Sequence, residues 1–185
     1  PLNFENDTEK LCIVLPNKRG VLYLKQHLAQ VFKKTIWLPS IISAEELISQ
    51  LSELDSADSV DLICDLYQAY CAVLKEKAEP FDSFAKWGNL MLQDFNEADR
   101  YLVDTTALYQ NLKEIKEIEN WSLSANELTQ TQQDYCNFMQ EMGLIYNEFT
   151  KNLLLKKQGY QGLMYRKAYE KYASSDAITK FEHIW

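Results

Sequence analysis

A short apolar run, Leu11-Cys12-Ile13-Val14-Leu15, breaks at Pro16 and gives way to two adjacent cations in Asn17-Lys18-Arg19-Gly20. A run of this length containing Ile and Val, closed by a turn signal, predicts a buried strand. Strands buried on both faces are usually parallel and central in an α/β sheet. Val21, Leu24, Leu28, Val31 and Phe32 then recur at helical spacing, so residues 18–34 read as an amphipathic helix. Thr35-Ile36-Trp37-Leu38 is a second apolar run, ended by Pro39. Strand, helix and strand with short connections restrict this part to a βαβ unit with a parallel sheet. Lys18 and Arg19 then fall at the carboxyl end of the first strand, the edge where open α/β sheets bind ligands.

Beyond Pro39 the chain reads as helical almost to its end. Ser43 and Glu46 have the spacing of a capping box ahead of Leu47, Ile48 and Leu51. The next helix carries Val60, Ile63, Cys64, Tyr67, Cys71 and Leu74 as its expected apolar stripe, and Pro80 ends it. Phe84, Trp87, Gly88, Met91, Phe95 and Ala98 continue at steps of three and four, with Gly88 placed for close helix packing. Asp104 is a candidate cap for a helix bearing Leu108, Leu112, Ile115 and Ile118. The longest stripe runs from Tyr135 to Leu153, opened by Thr129 and stopped at Gln158-Gly159-Tyr160, where glycine is expected in the left-handed conformation. A last helix over 161–173 leads through a loop, 174–179, to a final apolar strand over Phe181–Trp185. The expected fold is α/β but predominantly helical: a parallel sheet built from 1–42 and 160–185, interrupted by a helical insertion over 43–159.

The 185 residues suffice for one domain with a core, or a small core with an insertion. A net charge of -8 argues against a nucleic-acid surface spread over the whole chain but leaves room for a local basic patch. Cys12, Cys64, Cys71 and Cys136 form no CxxC pair and read as buried free thiols, and the two histidines, His27 and His183, sit near no cysteine in sequence; neither a structural zinc nor another metal is expected. No run approaches a membrane span and no signal peptide opens the chain, which fits a cytoplasmic location. Pro1 and Trp185 read as boundaries within a longer protein.

Chemistry has few places to reside. The glycines at 20, 88, 143, 159 and 162 form no phosphate-binding loop. The Asn17–Gly20 turn stands where an anion would bind, at a strand end and helix start, but it lacks the glycines that wrap a phosphate, and the simpler reading is a solvated basic helix entry. In Asp94-Phe95-Asn96-Glu97-Ala98-Asp99-Arg100-Tyr101, Asp94 and Glu97 share a helix face without a third ligand. The expectation is a solvated face, with Asp99 beside Arg100 as a local ion pair. Gln161-Gly162-Leu163-Met164-Tyr165-Arg166 reads as a tight joint. No nucleophile, base and acid can be assembled, so no enzyme activity and no cofactor are expected of this chain.

The stretches 13–20, 36–47, 94–104 and 159–166 together resemble AddB-type and RecB-type helicase-nucleases of DNA recombination and repair. The likeness is to the Bacteroidetes-type branch, an inactivated superfamily I helicase joined to a PD-(D/E)XK nuclease. The resemblance implies a partial RecA-like sheet (subdomain 1A) with an insertion like subdomain 1B. It implies that Asn17, Lys18 and Arg19 correspond to the motif Ia contact with single-stranded DNA, with Ser40 near the next DNA-facing loop. The phosphate loop of active relatives would precede Leu11, and the magnesium-holding motif II would follow Trp185. Implied partners are single-stranded DNA, the remaining helicase-like and nuclease domains, and an AddA-like helicase subunit, with no membrane. The alternative is a helical protein–protein interaction module that binds no nucleic acid.

Overall fold

The computed structural model describes residues 10–32, 37–105, 107–111, 130–174, 181 and 183–185, with the side chains of 130–136 and 139 excepted. The expectations resting on residues 33–36 and 112–129, on the side chains of Tyr135, Cys136 and Met139, on 175–179 of the expected 174–179 loop and on Glu182 lie outside the described residues. The chain is mostly helical with a small parallel sheet, and it divides into two compact units: Pro1–Glu53 with Lys167–Trp185, and Leu54–Arg166.

In the first unit, β1 (Leu11–Leu15) lies between β2 (Ser40–Ser43) and β5 (His183–Ile184), all parallel. Cys12 pairs with Ser40 and Leu15 with Ser43, while Leu11 and Cys12 pair with His183 and Ile184. Helix α1 (Lys18–Val31) makes the β1–β2 crossover. Helix α2 (Ala44–Ser52) follows β2 directly, and the capping box is present: Glu46 N–H donates to the Ser43 hydroxyl at 3.2 Å and Ser43 N–H to the Glu46 carboxylate at 2.9 Å. Sequence placed α2 in the insertion, but it packs on β1 and β2 and belongs to the sheet unit.

Of the apolar run expected as the second strand, the described residues Trp37 and Leu38 are not strand, and β2 begins after Pro39. Trp37 is 83% exposed, whereas Ile41, in register with Ile13, is buried. Proline lacks an N–H for the ladder and so fits just before a strand.

The second unit is built on α3 (Ser59–Leu74), α5 (Gly88–Arg100) and α7 (Gln130–Leu155), with the single turn α4 (Phe81–Phe84), a helical stretch α6 at 105 and 107–111, and the first part of α8 (Gln161–Ala173). The buried face of α3 is Leu62, Asp65, Leu66, Ala69 and Tyr70, not the stripe through Val60 and Cys64, which are exposed. Both stripes are apolar; packing on α7 selects the one holding Leu66 and Tyr70. Asp65 on that face is paired with Lys156 at 2.6 Å. Tyr67, on the other side, stacks edge-on to Phe81 and tilts on Phe84. The α5 face is Gly88, Met91, Phe95, Ala98 and Asp99. A Cβ on Gly88 would stand 2.6 Å from the Phe84 ring, so glycine there lets that buried ring fold over the helix start.

Two short strands that sequence did not reveal, β3 (Asp55–Ser56) and β4 (Gln158–Gly159), pair in parallel where this unit begins and nears its end. Gly159 is therefore extended, and the left-handed residue after α7 is Lys157, at φ 54°. Glycine at 159 answers to crowding: a Cβ would lie 3.2 Å from Met164 and 3.3 Å from Leu54. Among the described residues, no helix is long and apolar enough to cross a membrane.

Candidate functional site

The β1–α1 turn assembles from local rules. Asn17 is the N-cap, extended at φ -149°, and its Oδ1 accepts the Gly20 N–H at 2.7 Å. The first turn of α1 carries Lys18 and Arg19 and no acidic residue. Cations there oppose the positive end of the helix dipole, so the fold gains nothing from their position. Gly20 is an ordinary helical residue: a Cβ would meet Asn17 Oδ1 at 3.5 Å, a normal contact.

Because β1 and β2 are parallel and Leu15 is level with Ser43, the N-termini of α1 and α2 emerge at the same carboxyl edge. The first turn of α2 brings Glu45 and Glu46. Lys18 Nζ stands 3.3 Å from Glu45 Oε2, with both side chains more than half exposed. Arg19 is exposed and forms no ion pair among the described residues.

Ser40 does not join this edge. It opens β2 level with Cys12, three residues, or roughly 10 Å, toward the amino end. The displacement follows from the late start of the strand: the loop expected at 40 is the strand itself. Its hydroxyl instead hydrogen-bonds the buried Cys12 thiol, which burial pushes up and this bond partly offsets. Asn17, Lys18 and Arg19 are thus brought together, and Ser40 is separated from them.

The acidic segment on α5 divides. Asp94, Glu97 and Arg100 are exposed. Burial, then the Glu97 charge, raises the Asp94 carboxyl. Asp99 is fully buried, and its partner is Arg166, 67 residues away, with Nε donating to Oδ1 at 2.6 Å. Tyr146 donates its hydroxyl to Asp99 Oδ1 and Tyr160 to Oδ2. Burial, followed by the effects of Asp99, pushes both phenols far above the tyrosine range, so both stay protonated donors. Arg166 Nη2 also donates to the carbonyls of Ala98 at 3.0 Å and Val103 at 2.6 Å, closing the carboxyl end of α5. There Val103 N–H reaches Ala98 and Leu102 N–H reaches Asp99 with Leu102 left-handed at φ 55°, a Schellman end without glycine.

The residues 161–166 read as a joint are the other half of this node. Gly162 N–H donates to Asn96 Oδ1 at 2.7 Å, and a Cβ on Gly162 would lie 2.2 Å from the Asn96 carbonyl oxygen. The local pattern held one sign of the node: Met91, Phe95 and Ala98 define the buried face of α5, and Asp99, four residues after Phe95, falls on it. Every buried side-chain polar atom among the described residues has a partner, and none of their acidic, histidine and cysteine groups is arranged to hold a metal. The node is a satisfied internal structure, whereas the turn presents charge to solvent.

No protein-family model, no curated protein and no solved structure matches this chain.

Proposed function

We propose that the chain is a noncatalytic, helicase-like part of an AddB/RecB-type DNA repair and recombination protein, an inactivated superfamily I helicase joined to a PD-(D/E)XK nuclease. It contacts single-stranded DNA through Asn17, Lys18 and Arg19. In this reading the sheet unit is a partial RecA-like subdomain 1A and the helical unit is an insertion resembling subdomain 1B. The partners are DNA, the remaining domains and an AddA-like subunit in the cytoplasm. The chain itself performs no catalysis and carries no cofactor.

The observation that carries the reading is the placement of Lys18 and Arg19. They open a helix at the carboxyl edge of a parallel sheet, against that helix's dipole. Asn17 caps the helix and fixes the direction of the turn. Cations so placed suit phosphates of a passing strand, setting its register without base specificity.

A helical protein-interaction module is the second reading. It is favoured by the ion pair that engages Lys18 and by exposed apolar side chains on the helical unit, Leu90, Leu144 and Leu155 among them. Anisotropy of a labelled oligothymidylate across a salt series separates the two. The DNA reading predicts binding that weakens with salt. It also predicts a salt slope shallower by about 1.4 in Lys18→Ala/Arg19→Ala, at about 0.7 for each phosphate no longer neutralised. Binding that is absent, or unchanged in that variant, leaves the interaction module.

A further inference from the structure

We infer that Glu45 is an internal competitor for the anion site, holding Lys18 away from a phosphate until a strand displaces it; the inference rests on the reading of the turn as a DNA contact. Three observations support it. Glu45 comes from a different element, the first turn of α2, and parallel pairing of β1 with β2 brings it to the edge where Lys18 emerges. Its carboxylate lies 3.3 Å from Lys18 Nζ. Neighbouring Arg19 has no such carboxylate among the described residues. The two cations are therefore unequal: Arg19 is open to a ligand, and Lys18 is available only in exchange for Glu45. Glu46, next in line, is committed to the backbone of Ser43. The pair is solvent-exposed, so the competition is weak and screened by salt.

The test is oligothymidylate binding by the full chain carrying Glu45→Gln, alone and with Lys18→Ala, beside Glu148→Gln. Glu148 makes a comparable pair with Lys151 in the helical unit, so its substitution changes net charge equally and leaves the edge intact. Glu45→Gln is expected to tighten binding about two- to fivefold at low salt, the range open to an exposed pair. That gain shrinks as salt rises and is mostly lost when Lys18 is also removed. Glu148→Gln is expected to change nothing. The inference is overturned if Glu45→Gln gives no gain, if Glu148→Gln gives the same gain, or if the gain persists in full without Lys18. Failure of Glu45→Gln beside a weakened Lys18→Ala/Arg19→Ala overturns this inference alone. A double variant that binds as wild type overturns the DNA reading with it.

Discussion

The Asp99 node and the Asn17–Arg19 turn both place charge at the end of a helix, with opposite physical outcomes. At the node an anion lies fully buried at the carboxyl end of α5 and receives donors from Arg166, Tyr146 and Tyr160. At the turn two cations stand in water at the amino end of α1, one with a single exposed partner. A charge taken out of water is tolerable only when its partners replace the lost hydration, so both carboxylate oxygens of Asp99 are tied to the fold. Exposed charge carries no such obligation and is free to meet a ligand. The difference teaches where to look for function: buried carboxylates in this chain specify structure, and the exposed, dipole-opposed cations are the groups the fold does not need.

That contrast breaks most readily at Arg166. Arg166→Met leaves Asp99 buried without its counter-charge and should destabilise the helical unit by about 3–5 kcal/mol, measured by urea unfolding. A loss under about 1 kcal/mol would mean that the node is peripheral. Gly162→Ala comes next: the obstructing atom is backbone, so about 1–3 kcal/mol should be lost. Its counterpart at the turn, Gly20→Ala, meets only ordinary contacts in a helix and should be neutral or stabilising by up to about 1 kcal/mol. Equal losses at the two glycines would erase the distinction.

Tyr160→Phe should cost about 1–3 kcal/mol, because a buried carboxylate oxygen loses its donor. The same hydroxyls sharpen the comparison through pH. Their folded pKa values lie above the unfolded value of about 10, so their contribution is intact below that pH and declines as pH rises beyond it. Alkaline titration should therefore destabilise the wild type progressively above about pH 10, and Tyr160→Phe should show a shallower decline. Identical slopes would show that the phenols do not report on the node.

What the sequence made legible was local. The Ser43 capping box depends on residues three apart and is present as the spacing implies. The helix α8 at Gln161–Ala173 was likewise readable. The side of α3 was not, because two apolar stripes coexist on it and only packing on α7 chooses between them. The β3–β4 pair was hidden because two-residue strands carry no alternation. Asp99 was misread because its nearest cation in sequence, Arg100, points elsewhere, while its partner lies on another helix. The reasons for Gly159 and Gly162 were invisible for the same cause: the atoms that crowd them come mostly from other segments of the chain. At the candidate site, Asn17, Lys18 and Arg19 could be placed from the strand and its proline, and Ser40 was misplaced with the strand that contains it.

The most direct measurement joins folding and binding in one variant, Lys18→Ala/Arg19→Ala. If the turn is surplus to the fold and serves a phosphate strand, unfolding free energy should stay within about 0.5 kcal/mol of wild type or rise slightly, while oligothymidylate binding weakens and its salt slope flattens. Unaltered binding, or a large loss of stability without any change in affinity, would contradict the account.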